Sequence, residues 1–125
     1  MRKKVLIVED NDLNLRLFND VLAAEGYETL TATGEEDVPA MARSARPDLI
    51  LMDMRHRGGD GVETTRRLKR DEETSGIPVI AVTGCALAGD EARFRAEGCA
   101  DYLVKPVSLV HFLGSVRRHL GDVAL

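Results

Sequence analysis

The chain has 125 residues, 44% hydrophobic and 30% charged, with a formal net charge of -4 at pH 7. That length fits one domain able to bury roughly two-thirds of its unfolded surface. The acidic balance gives no footprint for nucleic acid, no apolar run nears the ~18 residues a membrane helix needs, and the N-terminus MRKK leads straight into a short strand with no leader pattern.

A cytoplasmic location follows as the expectation. Cys85 and Cys99 have neither CxxC nor zinc spacing and are expected as free thiols. The basic pairs Arg66-Arg67 and Arg117-Arg118 lie on amphipathic helices among apolar residues and read as solvated faces.

Strand and helix patterns alternate five times. The first strand is predicted over 4–8. A helix follows over about 11–25, with Leu13, Leu17, Phe18, Val21 and Leu22 as its apolar stripe and Gly26 as its stop. The second strand, 28–32, has polar flanks that suit a sheet edge.

The second helix covers about 36–45 with Val38, Met41, Ala42 and Ala45 on one face. Pro39 predicts that it begins late or irregularly, because proline is comfortable only in a first turn. The third strand is 48–52 and the third helix about 62–70. A strand at 79–82, a helix at about 88–97 and a strand at 102–104 come next. The last helix starts after the N-cap Ser108 and is expected to turn Val110, Leu113, Val116 and Leu120 inward.

This alternation calls for an α/β fold, a doubly wound parallel sheet with helices on both faces and right-handed crossovers. Ligands of such folds bind beyond the strand C-termini. There the chain places three acids: Glu9 and Asp10 close KVLIVED, and Asp53 closes DLILMD. Both strands read as buried on both faces, so as neighbours they bring like charges together, which raises carboxyl pKa values. A hard divalent cation relieves that repulsion, because Mg²⁺ is held by a few carboxylates and keeps several waters. Asp53 is then a candidate nucleophile of a metal-assisted phosphoryl site. Thr83 ends the fourth strand and Lys105 follows the fifth, at the same edge.

Four motifs in order, VLIVEDN (5–11), DLILMD (48–53), PVIAVT (78–83) and YLVKP (102–106), with the segments GYETL, GDEARFR, GCADY and KPVSLVHFL, resemble a response-regulator receiver domain over the whole chain. The likeness is greatest to single-domain cell-cycle receivers of the DivK type. The resemblance implies five parallel strands in order 2-1-3-4-5 flanked by five helices, an arrangement described generally for flavodoxin-like folds, with residues 1–125 forming one receiver domain and no output domain.

It also implies that Asp53 accepts a phosphoryl group from a phosphohistidine on a histidine kinase or histidine phosphotransferase. Asp10 and Asp53 would contact Mg²⁺ (Mn²⁺ as a substitute), Glu9 would act through water, and the Arg55 carbonyl would add a ligand. Lys105 would pair with phosphoryl oxygens, Thr83 would donate its hydroxyl to one, and Tyr102 would swing in behind it. The Lys105-Pro106 bond would be cis. The implied product is a switched surface around the fourth helix, fifth strand and fifth helix for a downstream regulatory protein or kinase, on a monomer or weak dimer.

The loop after Asp53, MRHRGGDG, departs from the family pattern: His56 and Arg57 stand where an apolar residue and proline are usual, and Gly58-Gly59 lacks proline's restraint. A more mobile loop is expected, with the Arg55 carbonyl in question as a ligand. Neither Arg55 nor Cys85 is suited to orient a hydrolytic water, so slow self-hydrolysis is expected. Two other function classes stand beside the switch. One is a phosphorylation-independent adaptor. The other is a metal-dependent aspartyl-phosphate phosphohydrolase, opposed by Arg55 where such enzymes place a second acid.

Overall fold

The computed structural model describes residues 2–34, 36–56, 59–84 and 87–121. Five strands, β1 (Lys4–Val8), β2 (Glu28–Ala32), β3 (Leu49–Asp53), β4 (Val79–Thr83) and β5 (Asp101–Val104), form one parallel sheet in the order β2-β1-β3-β4-β5. The helices are α1 (Asp12–Ala24), α2 (Val38–Ala45), α3 (Gly61–Arg70), α4 (Asp90–Ala96) and α5 (Leu109–Leu120). The predicted order is the observed one, with β2 at an edge.

The unbroken apolar runs of β1, β3 and β4 follow from burial on both faces, because successive side chains point to opposite sides of a sheet. Leu6, Val8, Ile50, Met52, Val79 and Ala81 pack with Val38, Ala42, Val62, Leu68 and Phe94 of α2, α3 and α4. Their alternates Val5, Ile7, Leu49, Leu51, Ile80 and Val82 pack with Phe18 and Leu22 of α1 and Phe112 and Val116 of α5. The rings of Phe18 and Phe112 stack with centroids 4.9 Å apart, tying α1 to α5. Each large side chain so enclosed contributes about 1.5–3 kcal/mol relative to exposure.

Helix starts follow side-chain chemistry. Asn11, Asp37 and Ser108 each accept a hydrogen bond from the amide three residues on, at 3.0, 3.1 and 3.1 Å. Pro39 falls in the first turn of α2, so that helix begins at Val38, late as predicted. Helix α4 is shorter than its predicted span because Gly89, at φ 85°, stands outside it and the Asp90 carboxylate accepts the Leu87 amide at 2.8 Å.

Two predicted helix faces need correction. In α1, Phe18 and Leu22 of the predicted stripe are buried, whereas Leu13 is 77% and Leu17 46% exposed. In α5, Val110 is 81% exposed while Phe112, Ser115 and Val116 are buried. Both helices meet the sheet through an aromatic ring, and each ring sets the rotation about the helix axis. In the loop after Asp53, Arg55–His56 pairs antiparallel with Gly59–Asp60 outside the main sheet. Arg57, Gly58 and Cys85 lie outside the described residues.

Candidate functional site

Strand register carries the site. Val8 stands opposite Met52, Asp53 opposite Val82, and Thr83 opposite Val104, so each chain's next residue emerges at the same sheet edge. Backbone bonds extend the ladder to the emerging residues: Glu9 N–H donates to Ala32 O (2.9 Å), Met54 N–H to Val82 O (2.9 Å) and Lys105 N–H to Thr83 O (2.8 Å). The side chains of Glu9, Asp53 and Lys105 are therefore aimed by sheet geometry rather than by loops.

Glu9, Asp10 and Asp53 each offer a carboxylate oxygen within 4.8 Å of the others. Glu9 is 1% and Asp53 4% exposed, and Asp10 is half-buried. Lys105 Nζ donates to Glu9 Oε1 at 2.9 Å and to Asp53 Oδ2 at 3.4 Å. It also lies 2.7 Å from Glu9 Oε2, but without hydrogen-bond alignment, and that buried oxygen has no hydrogen-bond donor among the described residues. The Asn11 amide supplies Glu9 Oε1 with a second bond at 3.1 Å, and the Arg55 amide donates to Asp53 Oδ1 at 3.1 Å.

Burial pushes the Glu9 carboxyl above its ordinary pKa, and the nearby Asp53 charge adds to this, against the opposing pull of Lys105. Two of these carboxylates, Glu9 and Asp53, thus share the Lys105 ammonium. All-oxygen donors on two adjacent strand ends, one oxygen buried without a hydrogen bond, fit a hard divalent cation.

Thr83 is fully buried. Tyr102 is half-buried and stands opposite Ala81 on β4, two residues before Thr83. Its ring is tilted against Phe94 with centroids 5.7 Å apart. It lines a surface depression of about 590 Å³ with Leu87, Glu91 and Arg95. The Lys105-Pro106 bond is cis. Arg55 is exposed in the hairpin. His111 is exposed on α5, and the buried Cys99 thiol is pushed up to about 11 by desolvation.

A second charged cluster escaped the sequence reading. Asp101, at the start of β5, accepts bonds from the Ser115 hydroxyl, from Arg118 (3.0 Å) and Arg95 (3.3 Å), and from the Tyr102 amide (2.9 Å). It joins α4, β5 and α5. The available signal was the pair Ser115 and Arg118, one helical turn apart on the same face.

Known proteins carry the same arrangement. The description "Response regulator receiver domain" matches residues 5–117. The polar-differentiation response regulators DivK of Brucella anthropi and Brucella suis are each 48% identical over 122 residues, covering 98% of this chain and 99% of theirs. Among solved structures, the receiver domain of a Pseudomonas aeruginosa sensor histidine kinase, with magnesium coordinated in its active-site cleft, is 31% identical with a TM-score of 0.87 over 98% of this chain and 100% of that one. The Vibrio cholerae chemotaxis protein CheY4 is 27% identical, with a TM-score of 0.87 over 95% of this chain and 99% of its own. Sheet order, strand-end acids and full-length sequence similarity converge, and the chain belongs to the response regulator receiver domain family.

Proposed function

We propose that Asp53 is the phosphoacceptor of a phosphorylation-switched response regulator working in a histidine-to-aspartate relay. The observation that carries this reading is the placement of Asp53, 4% exposed at the end of β3, among Glu9, Asp10 and Lys105. Asp53 attacks phosphorus as a new O–P bond forms and the P–N bond of a phosphohistidine breaks, the electron pair leaving on the imidazole nitrogen. Asp10 and Asp53 would hold Mg²⁺ directly, with Mn²⁺ as an alternative, Glu9 would act through water, and the Arg55 carbonyl would be a further ligand. When bound, the metal supplies positive charge against the phosphoryl oxygens.

The chain's own residues do the rest. Lys105 already bridges Glu9 and Asp53, and its three mobile donors can turn from Asp53 to a phosphoryl oxygen on the same carboxylate. The Arg55 amide holds Oδ1 of Asp53, which restricts rotation of the nucleophile. Thr83 offers its hydroxyl to the phosphoryl group, and Tyr102 follows inward from the depression beside α4. That couples the site to the α4–β5–α5 surface, whose exposed Leu87, Val104, Leu109 and Val110 suit an apolar partner contact.

The donor is a histidine kinase or histidine phosphotransferase, and the receiver of the signal is a downstream regulatory protein or kinase in the cytoplasm. The similarity to polar-differentiation regulators supports a role in cell-cycle or developmental control. With neither an acid nor an amide at Arg55, self-hydrolysis is slow.

Incubation with Mg²⁺ and acetyl phosphate, read by intact mass with Asp53→Asn alongside, tests the assignment. One base-labile phosphoryl group confined to wild type is expected. Incorporation in both proteins, or in neither even with a phosphohistidine donor present, would contradict it.

A further inference from the structure

The chain leaves the sheet at Asp53 and comes straight back to it. Met54 N–H donates to Val82 O at 2.9 Å, and Met54 O accepts the Gly61 amide at 3.1 Å. The hairpin between them pairs Arg55 with Asp60, so α3 begins directly against the acceptor's own peptide. A Cβ on Gly61 would stand 2.6 Å from Met54 Cα, 2.9 Å from Asp53 O and 3.1 Å from Met54 Sδ. The first two are main-chain atoms, which no rotamer change can clear. Gly61 has no positive φ, so space alone demands glycine here, not backbone conformation.

The start of α3 is packed in place: Val62, Thr65 and Leu68 are buried under the sheet, and within the helix the Thr65 hydroxyl donates to Gly61 O at 2.7 Å. A methyl group at position 61 must therefore shift the Asp53–Met54 peptide or the first turn of α3 that packs against it.

We propose that Gly61 is a positioning residue for the acceptor carboxylate: its missing side chain lets the start of α3 close against the Asp53–Met54 peptide and fixes where Asp53 meets the metal and the phosphoryl group. This rests on the reading of Asp53 as phosphoacceptor. A misplacement of about 1 Å at reacting atoms costs on the order of a hundredfold in rate, and a smaller shift costs correspondingly less.

The test compares wild type, Gly61→Ala and Gly76→Ala, the last at a position where a Cβ meets nothing within 4 Å. Acetyl phosphate labelling rate and Mg²⁺ affinity are measured for each, with urea unfolding in parallel. Gly61→Ala is expected to label on the order of tenfold more slowly and to bind Mg²⁺ more weakly, while Gly76→Ala matches wild type. Repeating the pair in a Met54→Ala background removes the Sδ contact but leaves Met54 Cα and Asp53 O in place. The loss should persist there, and its disappearance would overturn the proposal by showing ordinary side-chain crowding.

Thr65→Val removes the hydroxyl from Gly61 O at nearly constant volume and should slow labelling in the same direction by a smaller factor. It decides the matter if Gly61→Ala does not fold, and an unchanged rate and Mg²⁺ affinity would then overturn the assignment. A wild type that takes up no phosphoryl group contradicts the acceptor reading itself, whereas a labelled wild type matched by Gly61→Ala contradicts only the role of the glycine.

Discussion

Two buried acidic clusters lie along the same chain, and they are built oppositely. At the strand ends, beside Asp10, Glu9 and Asp53 share one ammonium, Lys105, and one Glu9 oxygen is buried without a hydrogen bond among the described residues. At the start of β5, the single carboxylate of Asp101 meets two guanidiniums, a hydroxyl and an amide. The electrostatics diverge accordingly. Burial drives Glu9 above its ordinary pKa. It also works against the charged form of Asp101, but there the Ser115 and Tyr102 hydrogen bonds, with Arg118 and Arg95, outweigh it and hold the carboxyl below the usual range. Among the described residues, two cations meet one carboxylate in the Asp101 cluster, whereas two carboxylates share one cation at the strand ends. A charge deficit at a sheet edge is costly for folding alone and useful for holding a cation.

The sharpest way to break this contrast is at the nucleophile. Asp53→Asn should abolish phosphoryl incorporation from acetyl phosphate, by intact mass, whereas Asp101→Asn should be labelled like wild type.

Next in size is the counter-charge. Lys105→Ala leaves three carboxylates facing one another, and by urea unfolding without metal it should lose about 2–3 kcal/mol, discounted for partial exposure of the lysine. Lowering the pH should shrink that deficit, because a carboxyl with a raised folded-state pKa binds protons preferentially in the native state, so stability falls as pH rises past its ordinary value of 4.5. A Mg²⁺ concentration about a hundredfold above Kd should stabilise wild type by about 2.7 kcal/mol.

Smaller again is the satisfied cluster. Asp101→Asn should cost about 1–2 kcal/mol at pH 7. A carboxyl with a depressed folded-state pKa contributes stability above its unfolded value of 3.8 and loses it as pH falls through the folded value, so the difference from wild type should close in strong acid. Smallest of all is Gly84→Ala. Its Cβ would meet Lys105 Cδ at an ordinary 3.7 Å, and stability and labelling should stay within about 0.5 kcal/mol and twofold of wild type.

The strand-end acids were legible in the sequence for the same reason that the sheet was. A strand buried on both faces is an unbroken apolar run, and the first charge after it marks the edge. Val8, Met52 and Val82 locate Glu9, Asp53 and Thr83 without any knowledge of contacts. The helix faces were harder. An apolar stripe at helical spacing includes positions that stay in solvent: Leu13 and Val110 fit the pattern yet are exposed, and Phe112, which the stripe of α5 omits, is buried against Phe18.

Ser115 compounds the difficulty. It is a polar residue on the buried face of α5 because Asp101 gives it a partner from β5, and no local periodicity encodes a bond across fourteen residues. The hairpin after Asp53 was read only as a loosened loop, since its glycines suggest freedom and conceal the close approach at Gly61. Close approach between backbones is a tertiary fact. In sequence it leaves a bare glycine.

The central claim, that the strand-end cluster is the one left short of charge for a cation, is tested most directly by titrating Mg²⁺ into isotope-labelled protein and following backbone amides by NMR. Resonances of Glu9, Asp10, Asp53 and Lys105 should shift and saturate together, and those of Ser115 and Arg118 should hold still. If the strand-end resonances stay fixed through millimolar Mg²⁺, or if both clusters shift alike, the contrast drawn between them is wrong.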